Sequence, residues 1–167
     1  MTNVEQGSTS ALYPLYLGFT GDWSSKQELF DFILAGLRKQ GAPAANIVGT
    51  DGCSDQFKIR CLYKTSTGLR CAIGLLFSDE INPEDPSIFK GGVLSLSKFL
   101  FPPNITPRNF LSFVQTEMHD IPAHTSIQDS VDFMSLVEKG AADIAARFGL
   151  RYSPPQQGDS RDDQEAS

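Results

Sequence analysis

The stretch CLYKTSTGLRCAIGLLFSDE, residues 61–80, constrains the fold most, because it sets the densest apolar run of the chain behind a clear turn. Phe57-Lys58-Ile59-Arg60-Cys61 leads into it with alternating apolar and charged residues, the period-2 pattern of a half-buried strand. Thr65-Ser66-Thr67-Gly68 is a turn, since Gly68 takes positive φ without steric cost and the hydroxyls bond nearby backbone. From Leu69 to Phe77 nearly every residue is apolar, which leaves two readings: a returning strand or a buried helix beginning near Cys71. Ala72, Leu75 and Leu76 are good helix formers and favour the helix. Ser78-Asp79-Glu80 and Asn82-Pro83 then end it, because the residue before a proline is pushed out of the helical region.

Three amphipathic segments surround this block. Ser25 and Glu28 have capping-box spacing, and Leu29, Phe30, Ile33, Leu34 and Leu37 share one face, so residues 26–40 are expected to be helical, with Gly41 as the stop. Thr106-Pro107 reads as an N-cap followed by proline in the first turn. The helix it opens carries Phe110, Leu111, Val114 and Met118 and is expected to end near His119-Asp120, ahead of Pro122. A last helix, from about Gln128 to Phe148, buries Phe133, Leu136, Val137, Ile144 and Phe148 and closes on Gly149. Residues 42–54 and 82–92 are expected to be loops, and Leu94–Leu100 a helix turn or strand. The expected fold class is α+β, mainly helical, with three to four helices packed on a small β-hairpin or sheet in a single domain. Residues 1–22 are expected to form a partly disordered N-terminal arm, 23–153 the globular domain, and 154–167 a disordered acidic tail.

A chain of 167 residues can bury one core without staples. Its formal charge of −6, with no clustered Lys or Arg, argues against a nucleic-acid surface. No apolar run is long enough for a membrane span, and the N-terminus lacks a signal-peptide layout. Three cysteines at irregular spacing fit reduced thiols in a cytoplasm better than a disulfide frame. No glycine-rich phosphate loop and no G-x-S-x-G elbow is present. No cofactor is expected.

The candidate catalytic residues are Cys71, His119 and Asp120. At a helix N-terminus, with Arg70 beside it, the Cys71 thiol would be a lowered-pKa nucleophile; His119 would be its base and Asp120 the orienter. Tyr63, Arg70 and Cys61 are the accompanying candidate binding residues, Tyr63 as an oxyanion donor. Against this stands the commoner fate of a free cysteine, which is to be packed as a small apolar residue, and packing is the preferred reading. Cys53, Cys61, Cys71 and His119 supply the ligand types of a structural zinc. The spacings of the cysteines are not those of zinc knuckles, however, so no metal is assigned. Asp79, Glu80, Glu84 and Asp85 read as a solvated cluster rather than a hard-metal site.

Cys61-Leu62-Tyr63-Lys64, Gly68-Leu69-Arg70-Cys71-Ala72-Ile73-Gly74, Asp79-Glu80, His119-Asp120 and Gly149-Leu150-Arg151-Tyr152-Ser153 together resemble a family of small uncharacterised proteins of tailed bacteriophages and prophages. The resemblance covers about residues 25–153. The N-terminal arm is additional, Phe77-Ser78 stands in place of an apolar-proline pair, and the aromatic after Asp79-Glu80 is missing. It implies a phage or mobile-element origin and a host bacterial cytoplasm, and no established activity. The expected function is that of an accessory protein binding a host or defence component, a protein or a small ligand, without nucleic acid or membrane, in an oligomeric state left open. The alternative is a cysteine-dependent hydrolase or transferase using Cys71 and His119.

Overall fold

A computed structural model describes residues 17–50, 52, 56–80, 82, 101–102 and 106–156. In order, it contains α1 (Lys26–Gln40), β1 (Ala45–Thr50), β2 (Phe57–Cys61), a 3-10 turn (Gly74–Leu76), α2 (Arg108–Gln115), a π-helical turn (Thr116–Asp120), α3 (Ile121–Asp129) and α4 (Phe133–Phe148). It is α+β and mainly helical, with one two-stranded antiparallel sheet. Among the described residues no helix is long and apolar enough to cross a membrane. The expected features of Cys53, most of the 82–92 loop, Leu94–Leu100, residues 1–16 and residues 157–167 lie outside the described residues.

The first helix has the bounds its sequence predicts. Ser25 Oγ accepts the Glu28 amide at 3.2 Å, and Gly41 closes the other end in the left-handed region at φ 68°. The reciprocal half of the capping box is displaced. The Glu28 carboxylate takes the Asp22 amide, while the Ser25 amide bonds the Asp22 carbonyl. Leu29, Phe30, Ile33, Leu34 and Leu37 are all buried on the inward face.

The central block is a floor for this helix, but it is not itself a helix. The turn at Thr65–Gly68 forms as expected, with Gly68 at φ 90° and the Leu69 amide on Thr65 Oγ1. Lys64 and Arg70 then pair across it, and the Cys71 amide bonds the Tyr63 carbonyl at 3.3 Å. The helix expected from Cys71 is therefore a short return followed by a single 3-10 turn, in which only Gly74, Leu75 and Leu76 take part. Main-chain pairing with Tyr63 takes the amide that a helix start would have left free. Gly74 is needed here because a Cβ would overlap the Tyr63 carbonyl oxygen. Arg70 locks the return by bonding the Phe77 carbonyl and the Asp79 carboxylate, with Lys64 also on Asp79 at 3.1 Å.

Part of the stretch assigned to the N-terminal arm belongs to the body. Leu17 bridges Phe77, the Gly18 and Phe19 amides share the Leu76 carbonyl, and Phe19 is buried edge-on to Trp23. Trp23 in turn stacks edge-on to Phe101 and accepts the Thr106 amide on its carbonyl.

Three helix boundaries differ from expectation. Thr106 does not cap: its Oγ1 is buried without a partner among the described residues, and the helix starts at Arg108. Nor does the helix stop at Asp120. It widens into the π-helical turn, where the Ile121 amide reaches Thr116 O, and continues through Pro122 into α3. In that wide register the amide due to the Glu117 carbonyl belongs to residue 122, a proline with none to give. Gly140 of α4 lies against that carbonyl, so closely that a Cβ would overlap it. The expected helix from Gln128 is in fact two. Ser130 turns left-handed at φ 55°, and Asp132 caps a new start by accepting the Ser135 amide at 2.7 Å. The residues predicted to be buried on α4 are right for Phe133, Val137 and Ile144, while Leu136 and Phe148 are half-buried.

β1 falls where a loop was expected. It pairs with β2 in the register Ala45↔Cys61 through Thr50↔Phe57, with a bulge between Ile47 and Gly49. α3 runs beside β2: Gln128 Oε1 accepts the Phe57 amide at 2.9 Å at one end, and Asp120 meets Cys61 at the other.

Candidate functional site

At the junction of β2, the central return and the π-helical turn, four nominated side chains converge: Cys61, Cys71, His119 and Asp120. His119 is fully buried, and its Nε2 accepts the Ala44 amide at 3.0 Å. That donor fixes the tautomer. The ring proton sits on Nδ1 and is directed to Asp120 Oδ1 at 3.1 Å. Gln115 completes the arrangement, its amide nitrogen donating to Asp120 Oδ1 at 2.7 Å and its Oε1 accepting the Ile73 amide at 3.0 Å. The widened turn is what allows one short segment to aim Gln115, His119 and Asp120 at the same point.

Both thiols border this group. Cys61, half-buried, donates to the Asp120 carboxylate; burial first, and then that negative neighbour, push its pKa up. Cys71 is wholly buried. Its sulfur accepts the Gly74 amide at 3.3 Å, yet burial outweighs this, and its pKa is pushed up to about 12. Tyr63, on the same face, has its phenol pushed up by burial and by the nearby Cys71 and Asp120.

The chemistry expected of Cys71 needs a helix N-terminus and a facing basic nitrogen, and it has neither. The thiol lies at a strand return, its pKa moves up instead of down, and both nitrogens of His119 are committed elsewhere. His119 Nε2 is taken by the Ala44 amide, so the ring has no free lone pair with which to accept the proton of a cysteine. Arg70 is engaged by its own loop, and the Tyr63 carbonyl packs on Gly74.

Cys61, His119 and Asp120 also offer one ligand atom each within 4.8 Å of one another. A metal at His119 Nδ1 would move the ring proton to Nε2, where it would oppose the Ala44 N–H. The Gln115 amide nitrogen, 3.4 Å from Nδ1, further crowds the position. The residues therefore fit a closed hydrogen-bond junction better than a metal centre. Ala44 and Gln115 were not nominated from the sequence, because a main-chain amide and a single glutamine carry no motif.

A second feature stands outside this junction. The ribbon of β1 and β2 projects with Ile47 53%, Val48 57% and Phe57 42% exposed. Lys58 and Arg60 lie on β2 between its apolar residues. No protein-family model, no curated protein and no solved structure matches the chain.

Proposed function

We propose that the protein acts by binding, as an accessory protein of phage or mobile-element type, and that the ribbon is its contact surface for a protein partner. The observation that carries this reading is the exposed apolar set Ile47, Val48 and Phe57 on an ordered strand pair. Large apolar side chains held in water on an ordered strand pair are the usual mark of a surface that is covered in use. The junction behind the ribbon supports the same reading, because it anchors Ala44 and Cys61, the start of β1 and the end of β2 at one end of the ribbon, to the helical body. The residue pattern resembling small phage proteins suggests a partner in a bacterial host. A cysteine-dependent reaction has no comparable support, since both thiols are held protonated.

A photo-crosslinking residue placed at Phe57, in bacterial cells expressing the chain, tests the reading. Adducts with a different protein are expected, and the same probe at Asp143 on α4 should give none of them. Equal labelling from both positions, or none from Phe57, would overturn it.

A further inference from the structure

The two edges of the ribbon are not equivalent. The Leu62 amide bonds the Ala44 carbonyl at 2.8 Å, so by strand alternation that carbonyl and the main-chain groups of Asn46 face β2, while the Ala44 amide goes to His119. Ala45 and Ile47 turn theirs outward. On β2 the outward groups belong to Phe57, Ile59 and Cys61, and that edge runs along α3, with the Phe57 amide already bonded to Gln128. The outward amides and carbonyls of Ala45 and Ile47 have no partner among the described residues. The ribbon thus has one closed edge and one open edge.

We infer that the open edge of β1 pairs antiparallel with the same strand of a second copy of this chain, about a two-fold axis at Asn46, joining two ribbons into a four-stranded sheet. In this register Ala45 of one copy faces Ile47 of the other, and each such pair exchanges two main-chain hydrogen bonds. Charge selects the second copy. The chain carries −6, so two copies repel wherever ionised surfaces meet. β1, Ala45–Thr50, is the only exposed element among those described that has no ionisable side chain. The cations Lys58 and Arg60 lie on β2, one strand removed from the seam, with Arg60 opposite Asn46. The two Asn46 side chains would meet at the axis, and an amide can both donate to and accept from its own copy. The bulge after Ile47 ends the open edge. With the other edge covered, the contact closes at two copies rather than growing into a fibre. The inference uses main-chain groups at the edge of the ribbon and is independent of the partner proposed for its face.

Sedimentation velocity over a micromolar concentration series tests it on the full chain. The wild-type chain is expected to sediment as a monomer–dimer equilibrium. Asn46→Asp and Asn46→Lys, each placing like charges across the axis, are expected to weaken the dimer at least about tenfold. An equal mixture of the two variants should restore it. Asn46 is exposed, so circular dichroism should show both variants folded. A wild-type chain that stays monomeric, a dimer undiminished in both variants, or a mixture that fails to re-form it would each overturn the inference. Loss of the Phe57 adducts with the dimer intact would instead count against the partner reading alone.

Discussion

Ala44 contributes no more than an amide proton to the junction, yet that proton decides what His119 is. Accepted on Nε2, it leaves the ring able only to donate to Asp120, and so turns a potential base into a structural link. Replacing His119 by Leu would strand a buried Ala44 N–H, with an expected loss of about 1–3 kcal/mol beyond the change in packing. His119→Gln, whose side-chain oxygen can accept the same proton, should recover part of this; urea titration of the two variants checks it. The thiols make a second prediction. Cys71 is pushed up to about 12 when folded, against about 8.5 in an unfolded chain. Its stabilising contribution is thus complete below about pH 8.5 and is lost as pH rises toward 12, with a slope of about 1.4 kcal/mol per pH unit. Cys71→Ala should remove that share of the alkaline slope in melts between pH 9 and 11. At neutral pH the native Cys61 and Cys71 thiols should react with a disulfide reagent far more slowly than those of the unfolded chain. Four residues of the junction were legible in the sequence because cysteine, histidine and aspartate carry recognisable chemistry. Their order was not, since it depends on an amide proton and a glutamine brought in from other parts of the fold.

Elements were legible where the signal is local. Ser25, the five apolar residues of α1 and Gly41 act within one helix, and its bounds follow from them. Gly68 likewise sets its turn by its own φ. Pro122 misleads as a stop because the π-helical turn before it has already shifted the hydrogen-bond register, and Gly140 of α4 lies against the carbonyl that its missing amide would have met. The break at Ser130 has neither glycine nor proline to announce it. β1 was hidden because Asn46 and Gly49 interrupt its alternation, and its pairing is supplied by β2. The most sensitive contact between elements is at Gly140. A methyl group there meets the Glu117 carbonyl, which is part of a rigid rod, so Gly140→Ala should cost about 3 kcal/mol or more despite alanine's better helix propensity. Chemical denaturation of that variant checks the sign, which is opposite to the usual outcome of a Gly→Ala change inside a helix. The C-terminal strap gives a gentler case. Arg38 bonds Glu138 and the Ser153 carbonyl, Tyr152 bonds Glu138, and Gln27 holds both main-chain groups of Arg151. Glu138→Gln should cost only about 1 kcal/mol, these groups being half in water, but should speed amide exchange at Arg151.

Over the whole molecule, the junction is where pieces distant in sequence are joined. It ties the start of β1 through Ala44, the end of β2 through Cys61, the central return through Ile73 and Cys71, and the helical rod through Gln115, His119 and Asp120. None of these pieces buries enough apolar surface to hold the ribbon alone; a two-stranded sheet is marginal without a neighbour. The ribbon's position therefore depends on a shared polar group as well as on the packing of Ala45 and Cys61 against the apolar core. A network of this kind is coupled, so removing two members should cost less than the sum of removing each. His119→Leu and Gln115→Leu each remove one of two donors that share Asp120 Oδ1, so the loss of either changes how the carboxylate is held by the other. A double-mutant cycle read by urea unfolding is expected to give a coupling energy of about 0.5–3 kcal/mol. Additive costs would mean that the two side chains act on separate parts of the fold, and the ribbon would then need another anchor. The same cycle read by amide exchange at Ile59 should show the ribbon loosening before α1 does, because α1 rests on apolar contacts that neither substitution touches.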